Sequence, residues 1–209
     1  MKNSGYDCLG SGWAFTVVSQ IESDVRRQHG DDYNFVLSPQ QLLQCITNNN
    51  GCDGGTVEYA YTYLKQNGLQ LNNAYPYTSY NGVTGGPCAY NADLGVAKVA
   101  GYFTTLAGKE GCMGHYVQNT GPLSVCLYAS SAWYSYTGGV MSSNSCSAST
   151  PNHCVQAVGV KPSSYSGYWK LRTNYGTGYG EGGYVYISYG HNTCSITSDP
   201  IYTSTLVDY

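Results

Sequence analysis

A cysteine becomes a nucleophile where something holds its thiolate. The amino end of a helix beside an imidazolium does this, drawing a thiol pKa well below its usual ~8.5. The stretch Cys8-Leu9-Gly10-Ser11-Gly12-Trp13-Ala14-Phe15 runs into a helix, and the residue at its first turn, directly before Trp13, is Gly12. Glycine offers no atom for that field to act on. The imidazole half of such a pair is present as His153, in the strand-like run Asn152-His153-Cys154-Val155-Gln156-Ala157-Val158-Gly159. Substitute nucleophiles lie close in sequence: Cys8 and Ser11 before Gly12, and Cys154 beside His153. Successive strand side chains point to opposite faces, which counts against Cys154.

These residues fall in a larger pattern. The first run resembles the active-site segment of papain-like cysteine peptidases, Cys-Gly-Ser-Cys-Trp-Ala-Phe, with Gly12 in place of the attacking cysteine. Ser38-Pro39-Gln40-Gln41-Leu42-Leu43-Gln44-Cys45 followed by Gly51-Cys52-Asp53-Gly54-Gly55 resembles a second landmark of that family, and Tyr75-Pro76-Tyr77 a third. The run around His153 is similar to the strand carrying the family's catalytic histidine. Trp169-Lys170-Leu171-Arg172-Thr173-Asn174-Tyr175-Gly176-Thr177-Gly178-Tyr179-Gly180-Glu181-Gly182-Gly183-Tyr184 resembles Trp-x-x-Lys-Asn-Ser-Trp-Gly-x-x-Trp-Gly-Glu-x-Gly-Tyr. The landmarks occur in the family's order over nearly the whole chain.

The resemblance implies a papain-like α+β fold of two subdomains, a helical left half and an antiparallel β-barrel-like right half, with the active cleft between them. It also implies a vestigial site. Thr173 stands where the family's orienting asparagine belongs, with Asn174 one place on and facing the other way if the strand continues. Asn3-Ser4-Gly5 resembles the Asn-Gln-Gly that carries the oxyanion glutamine, so Ser4 replaces the amide donor; a short insertion before Trp13 leaves Tyr6 as the other candidate. Tyr175 and Tyr179 replace both tryptophans of the last motif, reducing the indole that shields the orienting hydrogen bond to a phenol. Gly54 and Gly55 are in the family part of the groove where an extended peptide pairs with backbone; the simpler reading is that they make the turn before a helix. The implied disulfides are Cys8 with Cys52, Cys45 with Cys88, and Cys146 with Cys194. Cys112, Cys126 and Cys154 are left free and read as small buried apolar residues.

Composition bounds the rest. The chain has 209 residues, 42% of them apolar, enough for a real core. No run of about 18 apolar residues exists to span a membrane. Nine cysteines favour an oxidising compartment, and no Cys-x-x-Cys spacing indicates a metal module. A net charge of -3 gives no basic face for nucleic acid. Charged residues make up only 10% of the chain while 23 are tyrosine, a balance suited to burial in an assembly, since Tyr supplies contact area and a polar tip at small entropy cost. The alternative is a low-charge extracellular surface solubilised by Ser, Thr, Asn and Gly.

The elements that must position these residues are legible in places. From Trp13 to about His29, Ala14, Val17, Val18, Ile21 and Val25 recur at helical spacing, with Gly30 as the stop. Ser38 and Gln41, with Pro39 between, form a capping box for a helix reaching Cys45. Val57, Ala60, Tyr61 and Leu64 predict a third helix closed by Gly68. Beyond about residue 100 the runs 123–128, 154–160, 168–172 and 183–188 read as strands.

The expectation is a single papain-like domain over 1–209, helical over about 1–100 and β over about 101–209, beginning inside the mature family pattern with no propeptide. Its expected function is that of a catalytically inactive homologue, a structural or protein-interaction module in an extracellular or organellar, secretory- or lysosomal-type setting. Its partners are then other proteins within an assembly, with no nucleic acid, no membrane span, no metal and no cofactor. The alternatives are a pseudoenzyme binding an extended peptide in the old cleft, and a cysteine-type endopeptidase with residual or displaced-nucleophile activity.

Overall fold

The structure, a computed structural model of the chain, describes residues 3–4, 8–146 and 150–207. In chain order its helices are α1 (Gly12–His29), α2 (Pro39–Cys45), α3 (Val57–Leu64), α4 (Glu110–Asn119) and α5 (Ser131–Tyr134). Its strands are β1 (Leu69–Gln70), β2 (Gly95–Phe103), β3 (Leu123–Leu127), β4 (Val140–Met141), β5 (His153–Lys161), β6 (Tyr168–Arg172), β7 (Tyr184–Ser188) and β8 (Asp199–Val207). The described residues divide into two compact units, a helical one within 4–102 with 203–207 and a sheet unit of residue 3 with those within 103–202.

In the helical unit α1 packs against α2 and α3. It starts and stops where the sequence signals place it: Gly30 takes a φ of 90° and its N–H reaches Arg26 O at 2.9 Å. Arg26, Arg27 and His29 occupy the last turn, where the helix dipole favours positive charge. The apolar spacing predicts one buried face, yet every residue from Gly12 to Ile21 is buried, including Thr16, Ser19 and Gln20. A helix at the centre of its unit has no solvent face, so its polar positions are satisfied internally. Gln20 Nε2 donates to Asp24 Oδ2 at 3.1 Å, and Thr203 Oγ1 donates to the same oxygen. The capping box forms as expected at α2, with Gln41 N donating to Ser38 Oγ at 3.1 Å.

In the sheet unit the strand order is β8, β3, β5, β6, β7, β4, antiparallel except for the β4–β7 pair. Leu123, Val125, Leu127, Val155, Ala157, Trp169, Leu171, Val185 and Ile187 form one core with Met113 of α4 and Trp133 of α5. The alternation along β6 and β7 is regular, buried at Trp169, Leu171, Val185 and Ile187 and half-buried between them. Four elements here, α4, α5, β4 and β8, are absent from the sequence reading. Helix α4, Glu110-Gly111-Cys112-Met113-Gly114-His115-Tyr116-Val117-Gln118-Asn119, carries two glycines and buries only Met113 and Gly114. It is anchored by Glu110, whose carboxylate accepts from Trp169 Nε1 and from the Gly190 and Asn192 N–H groups, each at 2.9 Å. Strand β8 alternates weakly and is identified by pairing with β3 rather than by its own pattern.

The disulfides are Cys8–Cys52, Cys45–Cys88, Cys146–Cys194 and Cys126–Cys154. The last corrects the expectation that Cys126 and Cys154 are free. Residues 126 and 154 are directly opposed in the β3–β5 ladder with Cα atoms 4.0 Å apart, the close pairing in which facing side chains meet. Cys112 is free as expected but exposed rather than buried, because it lies on the outer face of α4.

Candidate functional site

On the helical unit the site begins with the turn into α1. Leu9–Ser11 form a single 3-10 turn, and the Ser11 hydroxyl donates to Cys8 O at 2.6 Å. Gly12 follows as the buried first residue of α1. Trp13 Nε1 donates to Gly51 O at 3.1 Å and the Cys8–Cys52 bond ties the same two segments. They approach so closely that a Cβ on Gly10 would lie 2.4 Å from Cys52 O and 2.7 Å from Gly54 N, which leaves only glycine. Ser4 is buried, and its carbonyl accepts from Tyr77 Oη at 2.7 Å. Tyr6, the other oxyanion candidate, lies outside the described residues.

Gly54 and Gly55 each have a local reason. Gly54 takes a φ of 128°, a conformation that side chains rarely allow, and a Cβ on Gly55 would meet the Asn49 amide carbon at 2.5 Å. Asn49 in turn accepts from Thr56 N at 2.9 Å and donates to Thr56 O at 3.1 Å, closing the turn into α3.

On the sheet unit His153 opens β5 opposite Leu127. Asn152 before it continues the ladder with its side chain, accepting from Ala129 N at 2.7 Å and donating to Ala129 O at 3.3 Å. The imidazole is 6% exposed, stacked on Tyr175 at 5.3 Å with the rings 12° apart, and edge-on to Trp133 at 5.8 Å. Its Nε2 is buried with no hydrogen-bond partner. Aromatic packing rather than a hydrogen bond at that nitrogen holds the ring. Burial pushes the His153 pKa down to about 4, so the side chain is neutral at neutral pH.

Thr173 does not turn toward the imidazole. Its N–H and its Oγ1 both donate to Gly183 O, at 3.0 and 2.9 Å. β6 ends at Arg172, so the strand that would have turned Asn174 away does not reach it; Thr173 and Asn174 are both buried. Tyr179 packs edge-on to Tyr175 at 4.9 Å and its hydroxyl donates to Trp133 O, so the two tyrosines and Trp133 enclose one side of His153. Burial raises the pKa of both phenols, more than charge from neighbouring tyrosines does. Trp133 was invisible as a site residue, because nothing in Ser130-Ser131-Ala132-Trp133 refers to a histidine further along the chain.

Among the described residues no three His, Cys, Asp or Glu side chains converge as a metal site, and no helix is long and apolar enough to cross a membrane. The arrangement offers a neutral, ring-packed imidazole on one unit and, on the other, a helix start bearing no thiol.

The comparisons agree over nearly the whole length. The family model described as papain family cysteine protease matches residues 1–204. The chain is 38% identical over 192 residues to the cathepsin L-like proteinase of Fasciola hepatica, covering 90% of this chain and 57% of that protein. Identity to cathepsin K of Mus musculus is 34% over 201 residues, covering 95% and 59%. The chain thus spans less than three-fifths of the length of these curated relatives. Among solved structures, the digestive procathepsin L2 proteinase from Tenebrio molitor larval midgut superposes with a TM-score of 0.89 at 31% identity, covering 98% of this chain and 64% of that one. With its family pattern matched almost end to end and its α+β fold shared with procathepsins, the chain belongs to the papain family of cysteine proteases.

Proposed function

We propose that the chain is a catalytically inactive member of the papain family, with Gly12 at the nucleophile position, and that it serves as a structural or protein-interaction module in an oxidising compartment. One observation carries this reading: no nominated nucleophile is left to act. Cys8 is bonded to Cys52 and Cys154 to Cys126, and the Ser11 hydroxyl is engaged with Cys8 O. The remaining thiol among the described residues, Cys112, is exposed on α4, whereas His153 packs on Trp133 and Tyr175. A neutral His153 and a Thr173 hydroxyl turned to Gly183 O weaken the rest of the machinery. Hydrolases that lose a triad member fall by roughly 10⁴–10⁶ in rate, and the remainder depends on an intact oxyanion hole. Ser4 at the place of the amide donor removes that support as well.

The module reading is supported by the low charge and by tyrosines left on the surface, Tyr165 at 99%, Tyr80 at 58% and Tyr134 at 53% exposure. Four disulfides favour an oxidising compartment. Gly54 and Gly55 are explained by the turn they make, so no peptide in a groove is needed to account for them.

The test is incubation of the native protein with fluorogenic cathepsin substrates and a peptidyl vinyl sulfone, followed by peptide mapping. The expected result is no turnover and no peptidyl adduct. Turnover blocked by the vinyl sulfone would refute inactivity. In extracts of its source, elution well above the 22.5 kDa of the chain is expected, and elution as a free monomer would overturn the module role.

A further inference from the structure

A large aromatic side chain wholly in water is unusual, and Tyr165 is one. It is 99% exposed, whereas the next most exposed large apolar residue among those described, Val83, is at 59%. The turn 163–167 that carries it is built to hold it out. Tyr165 N and Ser166 N both donate to Ser163 Oγ at 3.4 Å, and Gly167 N donates to Ser163 O at 3.1 Å. A Cβ on Gly167 would lie 2.5 Å from Ser163 O, so only glycine closes the turn.

Beside this turn lies a depression of about 450 Å³, lined by Pro162, Ser163, Ser164, Tyr189, Gly190 and His191. That size takes a small ligand whole, and a phenol ring is smaller. Backbone hydrogen bonds join the projection to the depression. Tyr189 N donates to Gly167 O at 3.0 Å, and Gly190 N is held by Glu110 Oε1 at 2.9 Å. Tyr189 is backed in turn by Trp169, with ring centroids 5.7 Å apart. Tyr165 does not fill the depression of its own chain, since its side chain is in water. Knob and hole therefore stand side by side on one face of the sheet unit, fixed relative to each other.

We propose that this face is a contact between two copies of the chain, each inserting Tyr165 into the other's depression about a twofold axis. Adjacency of knob and hole decides the symmetry. On one face they close as a self-complementary pair, whereas on opposite faces they would grow a filament. Charge permits the pairing: residues 162–167 and 189–191 include no Asp, Glu, Lys or Arg, so no like charges are brought together at neutral pH. Area sets its strength. Two tyrosines bury about 300–500 Å² and the walls receiving them a similar amount, together less than the ~1,200 Å² at which standard stable interfaces begin. The pair is thus a concentration-dependent dimer with a dissociation constant on the order of 10–100 µM, not an obligate one. The preformed turn keeps the cost of ordering Tyr165 small. The proposal supplies a partner for the module role and rests on that role for its use in the source, but not on the loss of catalysis.

The experiment is sedimentation equilibrium of the intact oxidised chain from about 1 µM to about 1 mM at neutral pH. A Cys112→Ser background keeps the exposed thiol from linking copies. The variants are Tyr165→Ser, which removes the ring, Tyr165→Phe, which keeps it, and Ser164→Glu, which sets a carboxylate in the wall of the depression. Tyr80→Ser is the control, at a 58% exposed tyrosine of the helical unit; each variant is checked by thermal melting. An equilibrium that stops at the dimer is expected, weakened at least about tenfold by Tyr165→Ser and by Ser164→Glu, within about threefold for Tyr165→Phe and unchanged for Tyr80→Ser. A monomer throughout the range, growth beyond the dimer, association untouched by Tyr165→Ser, or an equal loss in Tyr80→Ser would overturn the proposal. The module role answers to a different readout, mass in extracts of the source. A large species there with a monomer here leaves that role to another partner and overturns this contact, whereas a dimer here with free monomer there upholds the contact and overturns the role.

Discussion

Burial of His153 makes the stability of this protein depend on acid in a way that can be isolated. The unfolded chain carries a histidine of pKa ~6.5, whereas in the folded protein the value lies at about 4. Between those values the unfolded state binds a proton that the folded state refuses, so unfolding free energy rises with pH there. The contribution is complete above pH ~6.5, is lost as pH falls through about 4, and is flat below. A difference of roughly 2.5 units at 1.36 kcal/mol per unit corresponds to about 3 kcal/mol. The comparison protein is His153→Phe, which keeps a ring between Trp133 and Tyr175 and removes the titration. Asp24, also buried, has a carboxyl raised mainly by desolvation and shifts stability in the opposite sense, favouring low pH; it is present in both proteins and cancels in the difference. Urea unfolding, with disulfides intact, followed by tryptophan fluorescence at steps from pH 7 to pH 4 gives both curves. The wild type is expected to lose about 3 kcal/mol relative to His153→Phe across that range. Parallel curves, or an imidazole resonance of His153 titrating near its ordinary value, would refute the burial argument.

Two further outcomes follow from the same geometry. In a Cys112→Ser background, Gly12→Cys is expected to place at the start of α1 a thiol drawn below its usual ~8.5 by the helix end alone, since His153 is neutral and supplies no imidazolium; an iodoacetamide rate already independent of pH below pH 6 would refute this. Replacing Cys126 and Cys154 together by alanine removes a link across 28 residues, and loop-closure entropy puts the loss at about 3–4 kcal/mol. Thermal melts of the oxidised proteins measure it, and an unchanged midpoint would mean that the β3–β5 ladder alone holds those strands.

Much of the fold was legible because its signals are local. Helix α1 ends at Gly30 because only glycine readily takes that φ, and α2 starts at Ser38 because its hydroxyl meets Gln41 N within one turn. Strands β3, β5, β6 and β7 showed in runs of apolar and β-branched residues. Among the elements that escaped, β1, β2, α4, α5, β4 and β8, α4 and β8 have weak patterns of their own and are held by distant partners, Glu110 by Trp169 and the turn at 190–192, β8 by β3. That α1 buries every residue from Gly12 to Ile21 was not legible for a related reason: the apolar spacing marks one buried face, and only packing decides whether the others are covered too.

The site divides in the same way. Residue types belong to the chain, so the glycine before Trp13, the histidine after Asn152 and the tyrosines at 175 and 179 were all present in the one-dimensional pattern. What these groups do was decided in three dimensions. Cys126 and Cys154 are bonded because strand register sets them face to face, a relation between residues far apart in sequence. Thr173 donates to Gly183 rather than toward an imidazole because the carbonyl waiting there comes from the turn into β7. His153 is neutral because Trp133 and Tyr175, each from a different segment, remove it from water. Sequence determines which atoms exist, whereas solvation, register and hydrogen-bond partner arise only when separated segments meet; on those three the chemistry of this chain depends.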